Sequence, residues 1–187
     1  MTESRFPPGF RWGVASAGHQ NEGDNTASDT WFAEHVSPSV FQEPSGRACN
    51  GYGLWREDVD LAAGMNLNAY RFSVEWARVE PVEGEFSGKA LAHYEAIVDR
   101  CLERGLAPVV TFNHSTSPHW FAMRGAWLDP EAPALFARFC DRVMGPVRRP
   151  DRLRRHHERA QPGPAAHLAR PAPLHPRPRA RHVGRGE

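Results

Sequence analysis

No charged-then-apolar stretch opens this chain, and no apolar run in it approaches the roughly 20 residues of a membrane span. Neither a secretory leader nor a membrane anchor is expected. Cysteine is scarce: Cys49, Cys101 and Cys140 stand far apart and outside any metal-ligand spacing. A disulfide framework is thereby disfavoured, and the expectation is buried thiols in a cytoplasmic protein. No Gly-rich phosphate loop follows any of the short apolar runs, which argues against a nucleotide; no cofactor and no metal are expected. Aromatic residues are missing from the last forty positions, although the chain holds 6 Trp, 3 Tyr and 10 Phe.

That last absence divides the chain. Residues 148–187 carry eleven arginines against three acidic residues, a formal charge of +8, with seven prolines. Residues 1–147 carry twelve basic and nineteen acidic residues, a formal charge of −7. The body is acidic and long enough for a core. The tail is too polar to offset its chain entropy and is expected to be disordered. A basic arm for nucleic acid would bind phosphate in a salt-dependent way, but the tail offers no aromatic for base stacking, so no specific nucleic-acid partner is expected.

Within the body, short apolar runs alternate with amphipathic ones. Strands are expected at Phe10–Ala15, Ala69–Phe72 and Ala107–His114. A helix over Trp55–Met65 presents Trp55, Val59, Ala62 and Ala63 on one face; a helix over Gly88–Arg104 presents Leu91, Tyr94, Ile97, Val98 and Cys101. A third, about Glu131–Met144, presents Ala134, Leu135, Phe139 and Val143, with Pro130 suited to its first turn. Residues 23–53 form a long excursion anchored by Trp31 and Phe32. Alternation of this kind implies parallel α/β architecture with polar groups gathered where strands feed helices. The polar groups at those points are Gln20 and Glu22 after the first strand, Arg71, Glu75 and Glu80 around the second, and Asn113 and His114 at the third. Ordinary loop polarity accounts for some of them equally well.

Three pieces, taken together and in order, resemble the amino-terminal part of a glycoside hydrolase family 1 enzyme, the β-glucosidase and β-galactosidase family. They are Phe6-Pro-Pro-Gly-Phe-Arg-Trp-Gly-Val-Ala-Ser-Ala with Gln20 and Glu22-Gly23, then Tyr70-Arg71-Phe72-Ser73-Val74-Glu75-Trp76-Ala77-Arg78, then Val110-Thr111-Phe112-Asn113-His114. The resemblance implies about the first three βα units of a (β/α)8 TIM barrel and retaining cleavage of β-glycosidic bonds by two glutamates. It implies that Gln20 and His114 bind hydroxyls of a terminal β-glycoside and that Arg71 sits beside the nucleophile, holding it ionised. The family has an aromatic residue after the histidine, where this chain has Ser115. Glu22, Glu75, Glu80 and Glu83 do not match the family's catalytic positions and are read as supporting or solvated carboxylates. Neither catalytic glutamate is legible, so no catalytic residue is assigned and the chain is expected to be inactive; a non-catalytic sugar-binding role is the alternative.

The acid–base motif of the family, Thr-x-Asn-Glu-Pro, belongs where this chain has its basic segment. Reading the codons of Arg148 to Pro162 one base out of frame permits that motif through His156, His157, Glu158, Arg159, Ala160 and Gln161. The expectation is a frameshift near Pro146–Arg148, with off-frame translation beyond it.

Overall fold

A computed structural model describes residues 6–147, and the expectations for the basic tail lie outside the described residues. Strand β1 (Gly13–Ala15) leads into a short helix α1 (Gly18–Asn21), followed by α2 (Asp29–His35) and α3 (Gly51–Gly64). Strand β2 (Ala69–Ser73) is followed by α4 (Trp76–Val79) and α5 (Gly88–Glu103). Strand β3 (Ala107–Thr111) precedes α6 (His119–Met123), a 3-10 turn at Ala126–Leu128 and α7 (Ala132–Val147). The three strands form one parallel sheet in the order β1-β2-β3. Arg71 stands opposite Ala15 on one side and Val109 on the other, and Ser73 opposite Thr111.

The central strand is the most buried: Ala69, Tyr70, Phe72 and Ser73 are all shielded. Alternation along it sends Tyr70 and Phe72 towards the helices and Ala69, Arg71 and Ser73 to the opposite face. Helix α5 begins where the Ser87 hydroxyl accepts from the Ala90 amide at 3.2 Å and ends before Gly105, whose φ of +78° suits a residue without a side chain. Its buried stripe of Tyr94, Ile97, Val98 and Cys101 meets Phe72 and Val74 from the sheet. Trp76 is fully buried among aromatic rings: it lies nearly parallel to Phe139 at 5.2 Å between ring centroids and tilted against Phe121 at 4.7 Å.

Several expectations shift. The first strand starts only at Gly13, because Phe10 closes a turn on Pro7 and the Asn68 side chain takes over the pairing: its Nδ2 donates to the Phe10 carbonyl at 3.0 Å and its Oδ1 accepts from the Trp12 amide at 2.8 Å. The third stops at Thr111, before the turn in which the His114 carbonyl accepts from the Thr116 amide. Ala134 is exposed and Ala132 is buried in its place, since 132, 135, 139 and 143 keep helical spacing and 134 falls off that stripe. Pro130 lies in the turn ahead of α7, where Asp129 accepts from the Glu131 amide at 2.9 Å. Residues 23–53 are not one excursion, since they hold α2 and the start of α3. Phe32 is half exposed and lies tilted against His119 at 4.2 Å between centroids, so it anchors through a surface contact. Cys49 is exposed and Cys140 half-buried; only Cys101 is the buried thiol expected. Among the described residues no helix is long and apolar enough to cross a membrane.

Candidate functional site

The carboxyl ends of the three strands collect the polar side chains. Arg71, on the face of β2 away from the helices, donates from Nε to the Thr111 hydroxyl at 2.9 Å and from Nη2 to His114 Nδ1 at 3.2 Å. Two of the three residues singled out from sequence therefore touch. Gln20 is exposed on α1, which is fixed to the end of β2 by its own backbone. The Ser16 amide donates to the Arg71 carbonyl at 2.9 Å and the Gly18 amide to the Ser73 hydroxyl at 2.7 Å. Gln20 thus shares the sheet end with the other two through this attachment.

Beneath them lies a carboxylate that ties the loops together. Glu75, 2% exposed, accepts from Thr116 Oγ1 at 2.6 Å and Asn25 Nδ2 at 2.8 Å on one oxygen, and from Ser73 Oγ at 3.2 Å on the other. Its donors come from the segments after β1, within β2 and after β3. Burial raises its pKa, opposed by the hydrogen bonds from Thr116 and Ser73. Gly18 packs so closely on it that a Cβ there would overlap the glutamate side chain.

The other glutamates are also committed. Glu22 accepts from Arg78 Nε at 2.7 Å and from the Tyr94 hydroxyl at 3.0 Å. Burial pushes its carboxyl up to about 7, with Arg78 opposing and Glu75 adding to the rise. Tyr94 in turn accepts from the Glu75 amide at 3.2 Å, so the two carboxylates share one buried network. Glu80 is fully buried, accepting from Trp76 Nε1 at 2.8 Å, the Gly84 amide at 2.7 Å and Arg138. Glu83 sits at the surface, paired with Arg124. Of these four, Glu22, Glu75 and Glu80 are held inside by hydrogen bonds and Glu83 lies at the surface.

Sequence reading did not single out Asn25 or Thr116, and it gave Tyr94 only a place on the apolar face of its helix. Asn25 and Thr116 stand fifty and forty-one positions from Glu75, and no local pattern links them. Ser115, in the place the resemblance gives to an aromatic, is exposed and adopts a φ of +69°. The described part of the site thus offers an anchored guanidinium, an imidazole and an exposed amide on one sheet end. Such donors suit a polyhydroxylated ligand.

The family model described as Glycosyl hydrolase family 1 matches residues 2–168. Beta-glucosidase A of Thermotoga maritima is 35% identical over 146 residues, covering 74% of this chain and 33% of that protein. The crystal structure of the beta-glycosidase BGL167 superposes with a TM-score of 0.74 at 54% identity, covering 75% of this chain and 34% of that one. A beta-glucosidase from Thermotoga maritima, solved in complex with methoxycarbonyl-substituted glucoimidazole, gives a TM-score of 0.71 at 33% identity, with 75% and 34% covered. The chain spans about a third of the length of the relatives it matches. Its three parallel βα units match part of the barrel of these neighbours, as the sequence led one to expect.

Proposed function

The chain belongs to glycosyl hydrolase family 1, and from that premise we propose that its sheet end is the sugar-positioning part of a cytoplasmic, retaining β-glycosidase site. Its ligand is a terminal β-glucoside or a related β-glycoside. Gln20 and His114 bind ring hydroxyls, and Arg71 keeps a nucleophilic carboxylate charged. The observation that carries this reading is the Arg71–His114 contact at the carboxyl ends of adjacent parallel strands, the face on which barrel enzymes build their sites. One side chain that supports a carboxylate and one that binds hydroxyls are thereby set side by side.

Retaining hydrolysis needs two carboxyl groups about 5–5.5 Å apart on either side of the scissile bond. Glu22, Glu75 and Glu80 turn inward to Arg78, Tyr94, Thr116, Asn25, Trp76 and Arg138. None is assigned as acid, base or nucleophile. The 187-residue chain assayed alone is therefore expected to leave an aryl β-glucoside intact. Turnover that disappears in His114→Ala would overturn this view of its carboxylates. The companion reading, a sugar-binding body without catalysis, is favoured by the same geometry, since Gln20 is exposed at the sheet end while Glu22, Glu75 and Glu80 are held in buried hydrogen bonds. Calorimetric titration with glucose separates sugar binding from an inert fragment: heat that is lost in both Gln20→Ala and His114→Ala supports binding through this pair, and no heat in the unsubstituted chain ends it.

A further inference from the structure

The polarity of the Arg71–His114 contact follows from valence. A guanidinium only donates, so at 3.2 Å from Arg71 Nη2 the His114 Nδ1 atom is the acceptor. A neutral imidazole whose Nδ1 is bare carries its proton on Nε2. Arg71 is itself held: its Nε donates to Thr111 Oγ1 at 2.9 Å, and the parallel register that sets Ser73 opposite Thr111 fixes the distance between the two strands. Arg71 therefore donates to both neighbours, to Thr111 through Nε and to His114 through Nη2, and the first contact orients the guanidinium for the second.

We propose that Arg71, anchored by Thr111, is a positioning residue that fixes His114 in the Nε2–H form and so makes it a hydrogen-bond donor towards the bound sugar. The consequence for ligands rests on His114 being a sugar ligand, as proposed above; the tautomer does not. A ligand atom facing His114 is then read as an acceptor. A hydroxyl or a fluorine satisfies it, and a methylene leaves the Nε2 proton unpaired. Three of the five guanidinium N–H groups remain for a carboxylate, so this role does not compete with holding a nucleophile. Lysine is no substitute, because a single ammonium cannot span both the Thr111 hydroxyl and the His114 ring as the guanidinium fork does.

Long-range nitrogen–proton spectra of the full chain read the tautomer directly, with His114→Gln identifying the ring. The expected result at neutral pH is a bare Nδ1 and a protonated Nε2. Arg71→Met and Thr111→Val should each move the Nδ1 resonance towards that of a free imidazole, and Arg71→Lys should not restore it. A proton found on Nδ1 in the unsubstituted chain, or an Nδ1 resonance indifferent to Arg71→Met, overturns the proposal. A parallel titration with methyl β-glucoside and its monodeoxy and monodeoxyfluoro analogues tests the ligand role separately. The analogue series should show one position where the deoxy sugar binds roughly two- to tenfold more weakly than the fluoro sugar. The Nε2–H ring with no sugar binding would remove His114 from the sugar site and leave its tautomer as assigned.

Discussion

At the scale of single residues, the buried carboxylates make stability depend on pH in an unusual direction. The Glu22 carboxyl is raised from 4.5 to about 7, chiefly by burial, so the folded state keeps a proton that the unfolded chain releases. Its contribution is fully present below about 4.5 and is lost as pH rises through about 7. Urea denaturation should therefore show stability falling across that window by up to about 3 kcal/mol. Glu22→Gln should flatten the slope, and an unchanged slope would refute the assignment. Glu75 is shifted in the same direction and adds to the trend. A second residue-scale effect concerns Ser115. Its φ of +69° is costly for a residue with a side chain. Ser115→Gly should raise stability by roughly 0.5–1 kcal/mol, read as an increased denaturation midpoint. A loss would mean that the serine side chain holds the turn.

At the scale of elements, much of the architecture was legible and the reasons for the failures are physical. Apolar periodicity located β2 and α5 because each buries a run or stripe of apolar side chains, and β3 through its short apolar run, although that strand is only partly covered. It misplaced Ala134 because an alanine of either environment looks alike in sequence. It overextended the first strand because the Asn68 side chain, more than fifty positions away, supplies the pairing of Phe10 and Trp12. The site was legible in the same uneven way. Arg71, His114 and Gln20 were singled out as candidates through a motif resemblance, whereas the Asn25 and Thr116 tethers to Glu75 exist only once three loops meet. Substitutions in α7 test its corrected face. Phe139→Ala, at a fully buried position stacked on Trp76, should cost about 3–5 kcal/mol. Ala134→Ser should change stability by no more than about 0.5 kcal/mol. Similar losses for both would contradict the packing described here.

At the scale of the whole molecule, the sheet has two outer strands, β1 and β3, whose far sides pair with no other strand among the described residues. Next to β1 stand Phe6, Phe10 and Trp12, packed on one another at 4.5–4.9 Å between ring centroids yet exposed, and Val14 is 40% exposed. Exposed apolar strand edges recruit other chains. Sedimentation velocity over a concentration series should show self-association, and Val14→Lys should reduce it; a chain monomeric throughout would contradict the expectation. The basic segment calls for a measurement on DNA. Sequencing the coding locus across Pro146–Arg148 should reveal a one-base correction that opens a long frame containing the acid–base motif, and an intact single frame would end that idea. The contact between Gly18 and Glu75 also has a historical consequence. Because a Cβ at 18 and a glutamate at 75 would occupy one volume, a side chain at 18 requires a shorter residue at 75. In any lineage or selection experiment, a side chain gained at the first should arrive with or after a shorter residue at the second, and seldom before it.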